Sequence, residues 1–338
     1  MVHKAFPGLI QRSAIRIALV GLGGNGALML TRLARMQVSF REIGHPGFTV
    51  DAYDPDIVTH ANVGRQAYYA SDVGLNKALV AVNRVNMAYG LDWDGYPVRF
   101  GTVRDFIHIV VGCVDTAKAR REILSICTDG GRLQPYYWLD LGNQATFGQV
   151  ILGQVRPDLC QEPLMDQPKL RHILEFFPEM ADPDYPENDA PSCSLADALS
   201  RQDLYMNDAL AVHAADILWK LLRYSEISYH GVWVNLATGT VRPQPCPDPP
   251  DPEGDNYDAG LRRDQAQRIP EHHHDRDQRP RRRPLRKRPH RAVPGAPGGN
   301  PVPRGVHARR RRLALDLERR LHPAGRDRRA RPAQPAGI

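Results

Sequence analysis

The chain has 338 residues and a formal net charge of +7, but residues 261–338 hold 22 Arg and one Lys against seven acidic groups, which leaves the first 260 residues at −9. The acidic part has the globular composition, so the high isoelectric point gives no reason to expect nucleic acid as its partner. No apolar run approaches the roughly 20 residues of a membrane span, and five cysteines without a C-x-x-C pair argue against both a disulfide framework and a structural zinc.

The opening "MVHKAFPGLIQRSAIRIALVG" has no secretory apolar core followed by a small-residue cleavage site, so a reducing cytoplasmic setting is expected. "AIRIALV" reads as a buried strand, "GLGGNG" (Gly21–Gly26) as a tight turn, and "NGALMLTRLARMQ" as a helix. "GFTVDAYDPD" is a second strand, "NKALVAVNRVNMAYG" a helix ending at Gly90, and "FIHIVVGCVD" a third strand. "AKARREILSICTDGG" is a helix stopped by two glycines, and "YYWLDLG" and "GQVILGQV" are further strands. Residues 158–190, Pro-rich and acidic, read as a loop. Ser194 opens a long amphipathic helix with Leu199, Met206, Leu210, Ile217 and Leu221 on one face and Asp197 in a capping position. "GVWVNLATGTV" is a closing strand and turn. The alternation predicts an α/β fold, a Rossmann-like, mostly parallel sheet with helices on both faces.

From about Pro243 the composition shifts to Arg, Pro, Gly and Ala with almost no Lys and no periodicity. Two domains follow: 1–245 as the folded unit and 246–338 as an Arg/Pro-rich tail that cannot build a core. That tail is either genuine or the product of a frameshift in a GC-rich gene. His272–His274 within it match a metal cluster no better than chance composition.

A glycine-rich strand-to-helix turn offers backbone N–H groups and a helix N-terminus to phosphate, whether of NAD, FAD or ATP. Gly21, Gly23, Gly24 and Gly26 are its members. Asp54 follows the second strand, where a carboxylate can accept from ribose hydroxyls. Asp56, Asn62, Arg65 and Gln66 come next, and then Lys77. Cationic groups close to a phosphate turn favour a triphosphate, whose oxygens gain charge during transfer. Asp115 stands at the end of an apolar strand, where it can hold Mg²⁺ near phosphates. Singly, Asp115 reads equally well as a helix cap and Lys77 as a solvated surface charge; together and in this order they favour ATP.

These elements resemble the ThiF/MoeB superfamily, the adenylating fold shared with ubiquitin-activating enzymes, over residues 13 to about 240. The motifs are GLGGNG, D-P-D-I-V-x-x-x-N-V-G-R-Q, V-G-L-N-K-A and V-D-T-x-x-x-R, the last running from Val114 to Arg120. "DLGNQATFGQVILG", "PSCSLADALSRQDLYMN" and "GVWVNLATG" are similar to the ThiF family protein of the PRTRC cassette. The resemblance implies that Asp54 binds ribose, that Asn62, Arg65 and Lys77 contact the phosphates with Gln66 in the same motif, and that Asp115 coordinates Mg²⁺. It implies ATP-dependent adenylation of the C-terminal carboxylate of a ubiquitin-like or sulfur-carrier-like protein, and a homodimer. Arg12 and Arg16 are the arginines available to reach a partner subunit's site.

Some relatives pass the acyl group on to a cysteine. Cys193, next to the helix expected from Ser194, is the thiol a helix N-terminus would acidify; its other reading is a small residue packed in a helix cap. Cys113 and Cys127 read as core, Cys160 as loop, and Cys246 lies at the edge of the tail. Two alternatives stay open: an NAD-dependent oxidoreductase, which leaves Arg65, Gln66 and Lys77 without a task, and an inactive scaffold of the same fold.

Overall fold

The computed structural model describes residues 1–10, 15–102, 106–129, 135–155, 167–186 and 203–248. Arg12, Cys160, Cys193, Ser194, Asp197, Leu199, His272–His274 and residues 249–338 lie outside the described residues.

The elements are β1 (His3–Lys4), α1 (Pro7–Ile10), β2 (Ile15–Val20), α2 (Gly24–Glu42), β3 (Phe48–Tyr53), α3 (Lys77–Tyr89), β4 (Asp94–Tyr96) and β5 (Ile109–Gly112). They continue with α4 (Ala117–Thr128), β6 (Tyr137–Asn143), β7 (Phe147–Gln154), α5 (Ile173–Phe176), α6 (Met206–Tyr224), β8 (Glu226–Ile227), β9 (Tyr229–Asn235) and β10 (Thr240–Pro245). One sheet runs in the order β10-β9-β7-β6-β5-β2-β3-β4. From β6 to β4 every neighbour is parallel, and β7, β9 and β10 continue the sheet antiparallel. The fold is the expected mostly parallel α/β sheet.

The central strands are buried on both faces because helices cover both. Ile17 and Leu19 pack with Leu30, Leu33, Val82, Leu210 and Leu218 of α2, α3 and α6. Ala18 and Val20, one residue out of phase, pack with Ile123 and Cys127 of α4 and with Trp138, Ile173 and Trp233. The period of two thus sends alternate side chains of β2 into two separate cores.

Two expectations are corrected. The helix that carries Leu210, Ile217 and Leu221 starts at Met206, with residues 203–205 before it not helical, rather than running unbroken from Ser194, which lies outside the described residues: Tyr205 has φ −96° and ψ 4°, and the Asp203 N–H donates to the Ala145 carbonyl. Its apolar face is as expected, with Met206, Leu210, Ile217 and Leu221 buried. The stretch expected as loop holds, in its described part, the helical turns Ile173–Phe176 and Pro178–Ala181, with Leu170, Ile173 and Leu174 buried. Strand β4, in a stretch the sequence reading left unassigned, pairs with β3 at the sheet edge.

Strand β10 runs through Pro243 to Pro245, and Cys246 beyond it is buried. Proline has no N–H for a ladder, but β10 is the edge strand and has one side without ladder bonds. The Met1 ammonium reaches the Asp248 carboxylate at 3.0 Å. Among the described residues no helix is long and apolar enough to cross a membrane.

Two histidines are buried close to the N-terminal strap. His3 Nε2 pairs with the Tyr137 hydroxyl at 3.0 Å, and His230 Nδ1–H donates to the Leu152 carbonyl at 2.7 Å. Burial pushes each pKa down to about 4; the His230 ring adds to the shift of His3, and for His230 the charge of Arg171 adds to it while the bond to Leu152 opposes it. Unfolded, each titrates near 6.5. As pH falls through 6.5 toward 4 the unfolded chain binds protons that the folded one refuses, so folding stability is full above that window and declines across it. We expect a loss on the order of 2–4 kcal/mol per histidine by the acid end. Urea unfolding of wild type and His230→Gln at pH 7 and pH 4.5 checks this; an identical acid loss in both would show that His230 is not responsible.

Candidate active site

The C-terminal ends of β2, β3, β5 and β6 point to one edge of the sheet, and between β2 and β5 the strand order reverses direction. Ligands of open α/β sheets bind at such a crevice. The turn Gly21–Gly26 lies there. Gly21 has φ +85°, and a Cβ on it would stand 2.9 Å from the Cys113 carbonyl oxygen. A Cβ on Gly26 would fall 1.8 Å from the Gly21 carbonyl oxygen, backbone against backbone. These two glycines let β2 enter α2 tightly against β5. At Gly23 a Cβ would meet only Gln66 Nε2, at 3.9 Å, so that backbone can be approached closely.

The start of α2 has no side-chain cap. By contrast, Asn76 caps α3 and Thr116 caps α4, each accepting a backbone N–H at 3.1 Å. An uncapped first turn leaves N–H groups available to an anion.

Asp54 follows β3 directly. Its carboxylate accepts from the Leu22 N–H (2.6 Å) and the Asp56 N–H (2.8 Å), tying the glycine turn to the β3 end. Burial raises its pKa, opposed by Lys77 and by those two N–H donors. Lys77, at the start of α3, is almost fully buried, and its ammonium bonds the exposed Asp56 carboxylate at 2.9 Å. The Tyr68 hydroxyl donates to the Leu22 carbonyl at 2.7 Å and packs the crossover segment onto the turn.

That crossover, residues 54–76, carries the remaining motif. Asn62 Oδ1 accepts from the Thr59 N–H and hydroxyl, and the Asn62 carbonyl accepts from the Gln66 N–H at 2.9 Å. Arg84 anchors the segment through the Ala67 carbonyl (2.9 Å) and the buried Asp72. Arg65 is half-buried; burial lowers its pKa, and attraction to Asp115 opposes the shift. Gln66 Oε1 is buried and has no hydrogen-bond partner. Asp115 is exposed after β5 and does not cap α4, because Thr116 does.

Behind Asp115, Arg120 and Asp140 form a buried ion pair, with Nε at 3.0 and 3.1 Å from the two carboxylate oxygens. Arg120 also donates to the Val114 carbonyl at 2.9 Å, which holds the backbone leading to Asp115. On the β6 side of the turn, Asn25 Nδ2 donates to Asn143 Oδ1 at 2.9 Å.

The structure therefore brings Gly21, Gly23, Gly24, Gly26, Asp54, Asn62, Arg65, Gln66, Lys77 and Asp115 around one crevice; Cys193 lies outside the described residues. Of the other thiols, burial pushes Cys113 far up, Cys127 to about 12 and Cys246 to about 11, so all three stay protonated at neutral pH. Arg16 bonds Asp51 of its own chain at 2.7 Å. Tyr68, Asn25, Asn143 and the Arg120–Asp140 pair are site neighbours that sequence reasoning missed. For the ion pair, only the resemblance motif marked Arg120; nothing marked its partner.

Residues 7–172 match the family model described as ThiF family. No curated protein matches the chain. Among solved structures it is similar to the selenomethionine form of PaaA, at 18% identity and TM-score 0.44, covering 70% of this chain and 65% of that one. It is also similar to Escherichia coli MccB with ATP, at 14% identity and TM-score 0.46 (72% and 66% covered), and to MccB with selenomethionine MccA, at 14% and 0.46 (73% and 66%). The chain spans just under two thirds of the length of these proteins.

Proposed function

Because residues 7–172 form a ThiF-family domain, we propose that this chain is an adenylyltransferase that activates a carboxylate with ATP. The carboxylate oxygen attacks the α-phosphorus, a new P–O bond forms, the bond to the β-phosphate breaks, and pyrophosphate leaves with its electron pair. No protein nucleophile is needed, and catalysis rests on positioning and charge neutralisation. The observation that carries the reading is the convergence on one glycine turn of an uncapped helix start, Asp54 on the β3 side, and Arg65 with Asp115 on the β5 side.

In this reading Asp54 accepts from the ribose hydroxyls, and Gly23 and the first turn of α2 receive phosphate. Gln66 Nε2, which lies 3.9 Å from where a Cβ of Gly23 would stand, is a donor that can serve the same phosphate. Lys77 exchanges its exposed Asp56 partner for phosphate oxygens, and Arg65 and Asn62 line the same crossover. A single exposed carboxylate, Asp115, suits Mg²⁺, which keeps several waters and takes phosphate oxygens for the rest of its shell. The ion would neutralise the charge that develops on the leaving pyrophosphate. The substrate class is the C-terminus of a small carrier protein of ubiquitin-like or sulfur-carrier type, and the gene setting is a PRTRC cassette.

The test is ligand-dependent melting of the full chain. ATP with Mg²⁺ at 100 times its Kd should add about 2.7 kcal/mol to folding and raise Tm, whereas NAD should not. Arg65→Ala should reduce the ATP-dependent rise. A shift with NAD and none with ATP would replace adenylation with the dinucleotide reading.

A further inference from the structure

Asp56 divides its contacts between backbone and side chain. Its N–H donates to the Asp54 carboxylate at 2.8 Å, and its carbonyl accepts from the Lys77 N–H and from Asn76 Nδ2, both at 2.9 Å. These three bonds fix the path from β3 into the crossover, and any residue with an N–H could make them. The Asp56 carboxylate takes part in none. Among the described residues its one hydrogen-bond partner is the Lys77 ammonium, at 2.9 Å.

The two members of that ion pair differ in setting. The Lys77 side chain is 10% exposed, the Asp56 side chain 65%. An ammonium taken out of water is costly unless it is paired, so Asp56 covers that cost while the crevice is empty. The carboxylate itself keeps most of its water and can swing away cheaply, because a pair with so exposed a member is weakly held. Asp56 is thus strong enough to occupy Lys77 and weak enough to be displaced by a more highly charged anion. Ground-state binding beyond what saturates the site does nothing for turnover, so a modest rival for a phosphate-binding cation costs the reaction little and lets the anion leave.

We propose that Asp56 is an affinity-setting residue: its carboxylate competes with the nucleotide phosphates for Lys77 and retakes the ammonium as they leave. This rests on the adenylation reading.

The experiment uses the full chain and Asp56→Asn, which keeps all three backbone bonds and removes the charge. Calorimetric titration with α,β-methylene-ATP and Mg²⁺ should show Asp56→Asn binding about 5-fold more tightly than wild type, the scale of one such ion pair. Adenosine, which has no phosphate, should gain nothing. Urea unfolding separates competition from mere repulsion. Without ligand, Asp56→Asn should be less stable than wild type, because its Lys77 has lost its partner; at saturating α,β-methylene-ATP the two should be alike. Unchanged or weaker binding by Asp56→Asn, an equal gain for adenosine, or equal stability of the two empty proteins overturns the proposal and leaves adenylation standing. If wild type does not bind α,β-methylene-ATP and ATP with Mg²⁺ gives no melting shift, the adenylation reading falls and this inference falls with it.

Discussion

Asp115→Ala is expected to lower ATP–pyrophosphate exchange by about 10²–10³-fold, the usual scale for losing one preorganised electrostatic group in a transfer reaction. The fold should barely notice. Asp115 is exposed, Thr116 rather than Asp115 caps α4, and the backbone leading to it is fixed from behind by Arg120. Melting temperature should therefore stay near that of wild type while exchange is lost. Removing Asp115 also takes from Arg65 the charge that counters its desolvation, so the guanidinium is expected to be less well positioned on the phosphates. Exchange at a near wild-type rate, measured with a substrate the wild type uses, would remove Asp115 from the magnesium role.

Arg120→Leu is expected to destabilise the domain by about 3–5 kcal/mol, because it leaves the Asp140 carboxylate buried without its counter-charge. Asp140 has no accessible surface, and Arg120 Nε bonds both of its carboxylate oxygens. Burial pushes the Asp140 pKa up and Arg120 pulls it down. Without Arg120 only the upward push remains, so the carboxyl should take up a proton rather than stay charged. Urea unfolding reads the loss. The double variant Arg120→Leu with Asp140→Leu should recover most of it, since replacing both partners by apolar groups is far cheaper than orphaning one. A single variant as stable as wild type would mean that water or another group compensates Asp140.

The parts of the site legible in sequence are those whose residue type is tied to a local backbone event. A glycine at φ +85° between a buried strand and a helix shows itself as a turn, and Asp54 shows itself by ending the next strand. The strands β2, β3, β5, β6 and β7 were legible because burial on both faces gives them mainly apolar runs with few polar interruptions. What stayed hidden was made by residues distant in sequence. Asp140 reads as one carboxylate inside a strand until Arg120, twenty positions earlier, is folded against it. Asn25 and Asn143 are ordinary polar residues until parallel pairing sets their two strand ends close together. The start of α6 was misplaced because amphipathic spacing extends upstream of Met206, while the Asp203–Ala145 contact that interrupts it is tertiary. Short β4 was missed for a similar reason: three residues of Asp-Gly-Tyr have turn propensity, and only the neighbouring β3 makes them a strand.

The prolines of β10 bear on how this molecule meets others. An open sheet edge is a template on which a stray segment, or a second molecule, can zip by main-chain hydrogen bonding. Pro243 and Pro245 have no amide hydrogen to offer a ninth strand, and the opposite edge, β4, is only three residues long. Among the described residues, both borders of the sheet are poor templates for growth. Contacts with other molecules are then directed toward side chains on the helical faces and the crossover segment, where shape and charge discriminate between partners. Edges of this kind guard a protein against pairing with extended chains indiscriminately.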